Sequence, residues 1–313
     1  MNENPAVPVI VSSLQDKLLL RSIPEGGFRD RPNGVYRTDA TAWAAIVLDV
    51  LGPLELYRRT AQRLAKDQLS DGRVPIASLH PAVWWPTALS AIAWAGVDEF
   101  RVEKDRALQF ILEVSGTTPA KIAGDPVGHD TTLRGWSWVE GTHSWIEPTA
   151  LSMLALAAAG VTDHPRIQEG VRLLLNRQLP HGGWNYGNTT IFGRELHPMP
   201  ESSGAALAAL AGRVSQTEVT RSLSYLEGEV PHLRTPLSLG WGLLGLAAWD
   251  RWPSGAESLV HDCMAAQSRY GDYDTSTLCI LLMATVEGLM PPTRRSLQAP
   301  QPEEESPASP EQS

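Results

Sequence analysis

"QLPHGGWNYGN", Gln178 to Asn188, ends a run of Leu and Arg with a Pro and two glycines and then sets a Trp and a Tyr in the turn. Pro and Gly break helices, whereas large aromatic side chains seek burial, so a turn carrying both joins helices that pack closely around it. Versions of the stretch recur. "EGGF" (Glu25–Phe28) leads into "DATAWAAIVLDVLG", "QLSDGRV" (Gln68–Val74) into "WPTALSAIAWAG", "RGWSW" (Arg134–Trp138) into "EPTALSMLALAAAG", and the opening stretch into "ESSGAALAALAG". "RTPLSLGWGLLGLAAW" repeats the helix without the Gly turn, and "QSRYGDY" (Gln267–Tyr273) leads into "DTSTLCILLMATVEG". The unit therefore occurs six times.

The six apolar segments begin near Asp39, Trp85, Glu147, Glu201, Thr235 and Asp274, about 35 to 60 residues apart, within the range of helical repeats. Pro at the first helical position (Pro86, Pro148, Pro236) or an acidic residue in the first turn marks each start, because neither wastes a backbone donor. Being apolar almost all round, these helices must be buried on most sides. Between them lie amphipathic segments, among them "LELYRRTAQRLAKDQ", "RVEKDRALQFILEV" and "PRIQEGVRLLLNRQ", with "VSSLQDKLLLRS" ahead of the first repeat. Their apolar residues recur every three or four positions, so one face meets water. Six buried helices alternating with six half-exposed ones predict an inner ring wrapped by an outer ring.

The alternation, and above all Gln178–Trp184 with a Gln at a helix end and a Trp in the next turn, resembles the QW-type repeat of the terpenoid cyclase and protein prenyltransferase superfamily, including the squalene cyclases. The likeness covers about residues 23 to 290 and implies an all-α fold, an (α/α)6 toroid. It also implies that Gln178 caps the outer helix and stacks on Trp184, with Gln267 and Tyr273 as a weaker counterpart; at Gln68 the aromatic is replaced by Val74. The expected organisation is an N-terminal segment with the first outer helix over residues 1–22, the toroid over 23–292, and a tail over 293–313. That tail, rich in Pro, Glu and Ser and without apolar periodicity, reads as disordered.

Composition narrows the function. The net charge of −9 argues against a nucleic-acid partner, which would need a basic face. No apolar run reaches the eighteen or so residues of a spanning helix, and the N-terminus shows no secretory pattern, so a cytoplasmic protein is expected, with at most peripheral contact with a membrane. The two cysteines, Cys263 and Cys279, form no metal pair. "HDC", His261 to Cys263, sets three consecutive residues on one helix, where they cannot all face one ion. No metal and no cofactor are expected.

In a closed double ring the first turns of the inner helices share one mouth. Its expected occupants are Asp39, Trp84, Trp85, Glu147, Glu201 and Asp274, with His143, Trp138 and Trp145 upstream of the third helix and Trp241 on the fifth. Carboxylates and indoles around an apolar funnel suit carbocation chemistry, an acid to start it and aromatic faces to hold positive charge. The eleven Trp outnumber the four Phe. The same acids also suit plain helix caps, and the same Trp a plain core. "GDYDTST", Gly271 to Thr277, is similar to the DxDD-T segment of class II terpene cyclases, which implies Asp274 as general acid and Asp272 as its companion. Thr275 stands where that family has a further Asp. The resemblance thus implies acid-initiated cyclisation of an isoprenoid, with Asp274 as acid assisted by Glu147 or His143, and with Asp39, Trp84, Trp85, Trp138, Trp145, Glu201, Asp272 and Trp241 around the substrate. The alternatives are a non-catalytic toroid that holds an apolar ligand or a peptide, and a subunit of a larger complex. The segment 115–135, long and unpatterned, reads as a binding loop with His129, Asp130 and Arg134 at its rim.

Overall fold

The computed structural model describes residues 9–121 and 126–285. Among them, helices follow in the order α1 (Val9–Leu19), α2 (Thr38–Leu51), α3 (Leu54–Asp67), α4 (Pro86–Trp94), α5 (Arg101–Glu113), α6 (Ile146–Ala158), α7 (Pro165–Arg177), α8 (Pro200–Leu210), α9 (Gln216–Glu229), α10 (Pro236–Ala247), α11 (Ala256–Ala265), the single turn α12 (Gln267–Tyr270) and α13 (Thr275–Thr285). Every inner helix begins within one residue of its expected start. The expected tail, residues 293–313, and the end of the expected toroid lie outside the described residues.

The inner helices α2, α4, α6, α8, α10 and α13 each pack on the next, and α13 packs back on α2, which closes the ring. Outside, α3, α5, α7, α9 and α11 lie on α2, α4, α6, α8 and α10, while α1 covers α13. The fold is an α/α toroid, as the periodicity predicts. Composition explains the layers. On α3, Tyr57, Thr60, Ala61 and Leu64 are buried at helical spacing and the charged face is left to water. The inner helices are built of Ala, Gly, Leu and Ser, small enough to be crowded on every side. Between α8 and α10 the approach is closest: a Cβ at Gly204 would lie 2.0 Å from the Trp241 carbonyl oxygen, and one at Gly245 would lie 2.5 Å from the Gly204 Cα.

The turns that open the argument are joints between successive outer helices. Gly182 has φ +102°, and a Cβ there would meet the Arg221 carbonyl oxygen of α9 at 2.4 Å. Arg221 in return donates to the Pro180 carbonyl, at 2.8 Å. The device recurs where Gly72 meets Arg106, which donates to Leu69, and where Gly26 meets Arg59, which donates to Pro24. Only glycine tolerates both the left-handed backbone and the contact. The inner layer is tied in by a hydroxyl: the N–H groups of Phe28, Val74, Trp136 and Trp184 donate to Thr41, Thr87, Thr149 and Ser203, each in an inner-helix first turn.

The indole of Trp184 donates to the Leu174 carbonyl of α7 at 2.7 Å, and that of Trp136 to Ile111 of α5 at 2.7 Å, so the buried aromatics satisfy carbonyls near outer-helix ends. The Gln178 amide goes to the Ser222 hydroxyl of the next outer helix, α9, at 2.7 Å, just as Gln68 reaches the Glu103 carbonyl of α5 at 2.8 Å. Gln267 accepts the Tyr273 N–H at 3.0 Å. The side chains of Gln178 and Gln68 thus lace their turns to the next outer helix, and Gln267 closes its own turn. A short hairpin, β1 (Thr190–Ile191) with β2 (Arg194–Glu195), emerges from the fourth turn, and its tip holds Phe192 and Gly193 at positive φ.

Candidate functional site

The first two turns of four inner helices, α2, α6, α10 and α13, with the residue before α4 and the segment before α2, surround one cavity of about 450 Å³. Asp39 and Trp43 of α2, Trp85 before α4, Glu147 and Leu151 of α6, Leu237 and Trp241 of α10, and Asp274 with Ile280 of α13 line it, and Trp138 enters from the third turn. Asp30, Arg31, Arg37, Ala40, Ser276 and Thr277 complete the lining. No thiol or imidazole is among these residues.

The four indoles form two edge-to-face pairs. Trp85 and Trp138 stand 5.4 Å apart at 89°, and Trp43 and Trp241 stand 6.0 Å apart at 74°. This geometry suits the aromatic quadrupole and fixes the rings as walls. Trp43 is set by simple arithmetic, lying one turn after Asp39 on the same face.

The carboxylates differ sharply in their surroundings. Asp39 is 6 % exposed and held by a bidentate pair with Arg37, Nε to Oδ1 at 2.8 Å and Nη2 to Oδ2 at 2.6 Å. Its charge is matched and its oxygens are engaged. Asp30 accepts the Val35 N–H at 2.9 Å and pairs with Arg31 at 3.2 Å, closing its own loop. Asp274 is exposed, with Oδ1 taking the Thr277 N–H at 2.8 Å and Oδ2 the Thr277 hydroxyl at 2.7 Å. That is the geometry of a helix N-cap. Asp272 is exposed and outside the lining.

Glu147 is the acid without a cation. It occupies the second position of α6, half-buried, and accepts only a long hydrogen bond from Ser202 at 3.4 Å. Glu201 holds the same position on the neighbouring α8, 6 % exposed, and accepts from Tyr186 at 3.1 Å and Ser238 at 2.7 Å. Burial, then the charge of Glu201, pushes the Glu147 carboxyl up to about 7, against the small opposing pull of Ser202. Glu201 itself does not reach the cavity surface.

The remaining expected residues lie elsewhere. Trp84 turns away from its neighbour Trp85, giving its N–H to the Ser137 carbonyl at 2.8 Å and its edge to Phe110, with ring centroids 5.2 Å apart. His143 and Trp145 stack on one another, centroids 4.3 Å apart, and His143 lines a second cavity together with His129 and Arg177. The structure thus gathers Asp39, Trp85, Trp138, Glu147, Trp241 and Asp274 and separates His143, Trp145 and Trp84 from them. Arg134 pairs with Glu169 of α7 at 3.4 Å. Cys279 is fully buried in α13, where burial pushes its thiol well above the usual range, and Cys263 packs against Tyr273.

No helix among the described residues is long and apolar enough to cross a membrane. No protein-family model matches the chain, and no curated protein sequence matches it. Solved structures do. The GH76A α-1,6-mannanase of Salegentibacter sp. HEL1_6, seen as an inactive variant in complex with α-1,6-mannotriose, superposes with a TM-score of 0.59 at 13% identity, over 89% of this chain and 98% of that one. A protein from Actinoplanes gives 0.54 at 14% identity, over 90% and 99%. The type II terpene cyclase MstE from Scytonema gives 0.47 at 16% identity, over 90% and 82%. At these identities the likeness is one of fold: the chain shares with the mannanase and the Actinoplanes protein a closed ring of paired helices.

Proposed function

We propose that the cavity takes an oxygen-bearing isoprenoid, such as an epoxide or allylic alcohol, and that Glu147 gives a proton to its oxygen to start a cyclisation. The observation that carries this reading is a carboxyl, pushed by burial up to about 7, in the lining of a cavity that also presents four indoles. A general acid works best when its pKa lies near the operating pH, and Glu147 meets that condition. With Glu201 rather than a cation beside it, its conjugate base is poorly stabilised, which makes it a weak acid. Such an acid suits a basic oxygen rather than a bare alkene. As the C–O bond opens, positive charge develops on carbon, and the Trp43, Trp85, Trp138 and Trp241 rings offer the compensating quadrupole. Asp274, the acid implied by the DxDD-like segment, serves in this reading as a cap at the cavity rim.

A second reading, a saccharide in the same cavity, is favoured by the charged rim. Asp30, Arg31, Arg37 and Asp274 supply donors and acceptors for hydroxyl groups, indole faces suit sugar rings, and the mannanase shares the fold. Incubation of wild type and Glu147→Gln with linear and epoxidised isoprenoids, followed by mass spectrometry, separates the two. Cyclised product formed by wild type and lost in a folded Glu147→Gln protein supports the first reading. Saturable binding of mannotriose without isoprenoid turnover supports the second. Neither outcome would leave Glu147 as a buried structural acid and overturn both.

A further inference from the structure

A second cavity, of about 340 Å³, is lined by residues 117–119 and 127–133, by residues 143–144, by Asn188 and by the C-terminal end of α7. Its wall carries Arg177, the last residue of α7, which is 4 % exposed. The guanidinium donates through Nη1 to the Gly187 carbonyl and through Nη2 to the Asp130 carbonyl at 3.1 Å, and its Nε has no hydrogen-bond partner among the described residues. No described carboxylate forms an ion pair with it. Asp130 is the acid whose charge acts on it, but the Asp130 carboxylate is exposed and folded into its own turn, with Oδ1 accepting the Thr132 N–H at 2.9 Å and the Thr132 hydroxyl at 2.7 Å.

Among the described residues this buried cation is served by neutral carbonyls alone, which is costly, because the desolvation of its charge is not offset by a described partner of opposite sign. Two of its five N–H groups are engaged in these bonds, and the Nε–H has no partner among the described residues, a donor that an oxyanion would satisfy. The rest of the wall suits the same guest. The Ser144 hydroxyl accepts the Gly135 N–H at 3.0 Å and keeps its own proton to donate, and His143 and Asn188 bring further polar atoms. The His143 imidazole is held below its usual range by burial and then by the charge of Arg177.

We infer that this cavity binds a small oxyanion, a phosphate or carboxylate group, with Arg177 as its principal anchor and Ser144 and His143 beside it. The site is distinct from the aromatic cavity, and the inference does not rest on the proposed cyclisation.

Isothermal titration of the full chain with inorganic phosphate, and in parallel with acetate, tests it, with sodium chloride at matched ionic strength as the control. The expected result is saturable binding of one or both anions, at least about ten-fold weaker in Arg177→Gln, as loss of a charge-assisted hydrogen bond implies. Since Arg177 also ties two loops together, its variant is paired with His143→Ala, at a solvent-facing residue, where binding should weaken about three-fold at an unchanged melting temperature. Binding of phosphate alone assigns a phosphate-bearing ligand, and of acetate alone a carboxylate. The inference is overturned if neither anion saturates on wild type, or if His143→Ala and a folded Arg177→Gln both bind as wild type does.

Discussion

Replacing Glu147 by Gln should make the protein more stable, by an amount that depends on pH. In the unfolded chain this carboxyl ionises near its ordinary value of 4.5, whereas in the ring burial and Glu201 hold it up to about 7. Below the unfolded value both states are protonated and nothing is lost. Between the two values the unfolded chain ionises first, so stability falls as pH rises; above about 7 the folded protein carries the full penalty. The interval is worth about 3 kcal/mol by linkage. Glutamine keeps the size and the acceptor that Ser202 uses and removes the charge. At pH 8 the variant should therefore exceed wild type by about 3 kcal/mol, or about 6 °C in melting temperature for a chain of this size. At pH 4 the difference should nearly vanish. Urea unfolding followed by circular dichroism at pH 4, 6 and 8 measures it. Glu201→Gln, which removes the like charge, should move the wild-type transition to lower pH. A gap that is the same at pH 4 and pH 8, or a wild type more stable than the variant at pH 8, would refute the argument. It would also remove the chief support for Glu147 as proton donor.

Two further substitutions probe the frame around the site. Gly182→Ala, whose new Cβ meets backbone atoms of α9, should lose about 2 to 3 kcal/mol. Gly212→Ala, with a similar left-handed φ of +71° but nothing within 4 Å, should lose only about 1 kcal/mol, and equal losses in urea unfolding would contradict the role of the joint. Asp274→Ala should lose about 1 kcal/mol of cap while Asp274→Asn loses only a few tenths, and a large loss of stability in the Asn variant would exclude a simple cap.

The ring was legible in the sequence because its causes are local and repeated. Apolar stretches such as "ALSMLALAAA" have no polar face to give to water, and Pro or an acid in the first turn marks where each begins. That the first turns gather at one end of the ring follows from the alternation of inner and outer helices, although that of α8 does not line the cavity. Which acid does what does not follow, because Asp39, Glu147, Glu201 and Asp274 look alike in sequence and differ only in what the neighbouring helices bring to them. Arg37 is two residues from Asp39, a spacing that could have been read as a pair; the juxtaposition of Glu147 and Glu201 needs the packing of α6 on α8. Trp84 and Trp85 are adjacent in the chain, yet only Trp85 reaches the aromatic cavity, a split settled by the backbone entering α4. Arg177 ends an amphipathic helix and reads as an ordinary surface charge, and only the fold of the segment over it buries it. The hairpin at residues 190–195 is not legible in the sequence, because two-residue strands carry no alternation, although Gly193 at its tip is a turn signal.

The meeting of α13 with α1 and α2 is drawn together by Arg21, 2 % exposed, whose Nη1 donates to the Thr275 hydroxyl at 3.1 Å, while the Thr275 N–H donates to the Asp30 carbonyl at 2.7 Å. An open solenoid has end repeats that can be trimmed, each deletion removing one interface. Here every module has two neighbours, so deleting any one removes two interfaces and leaves two raw faces. The ring should therefore behave as a single cooperative unit with no end module to trim. By the same logic, new termini opened in an exposed outer turn, with the old ones joined by a linker, would leave the set of interfaces unchanged, because a hoop has no first link.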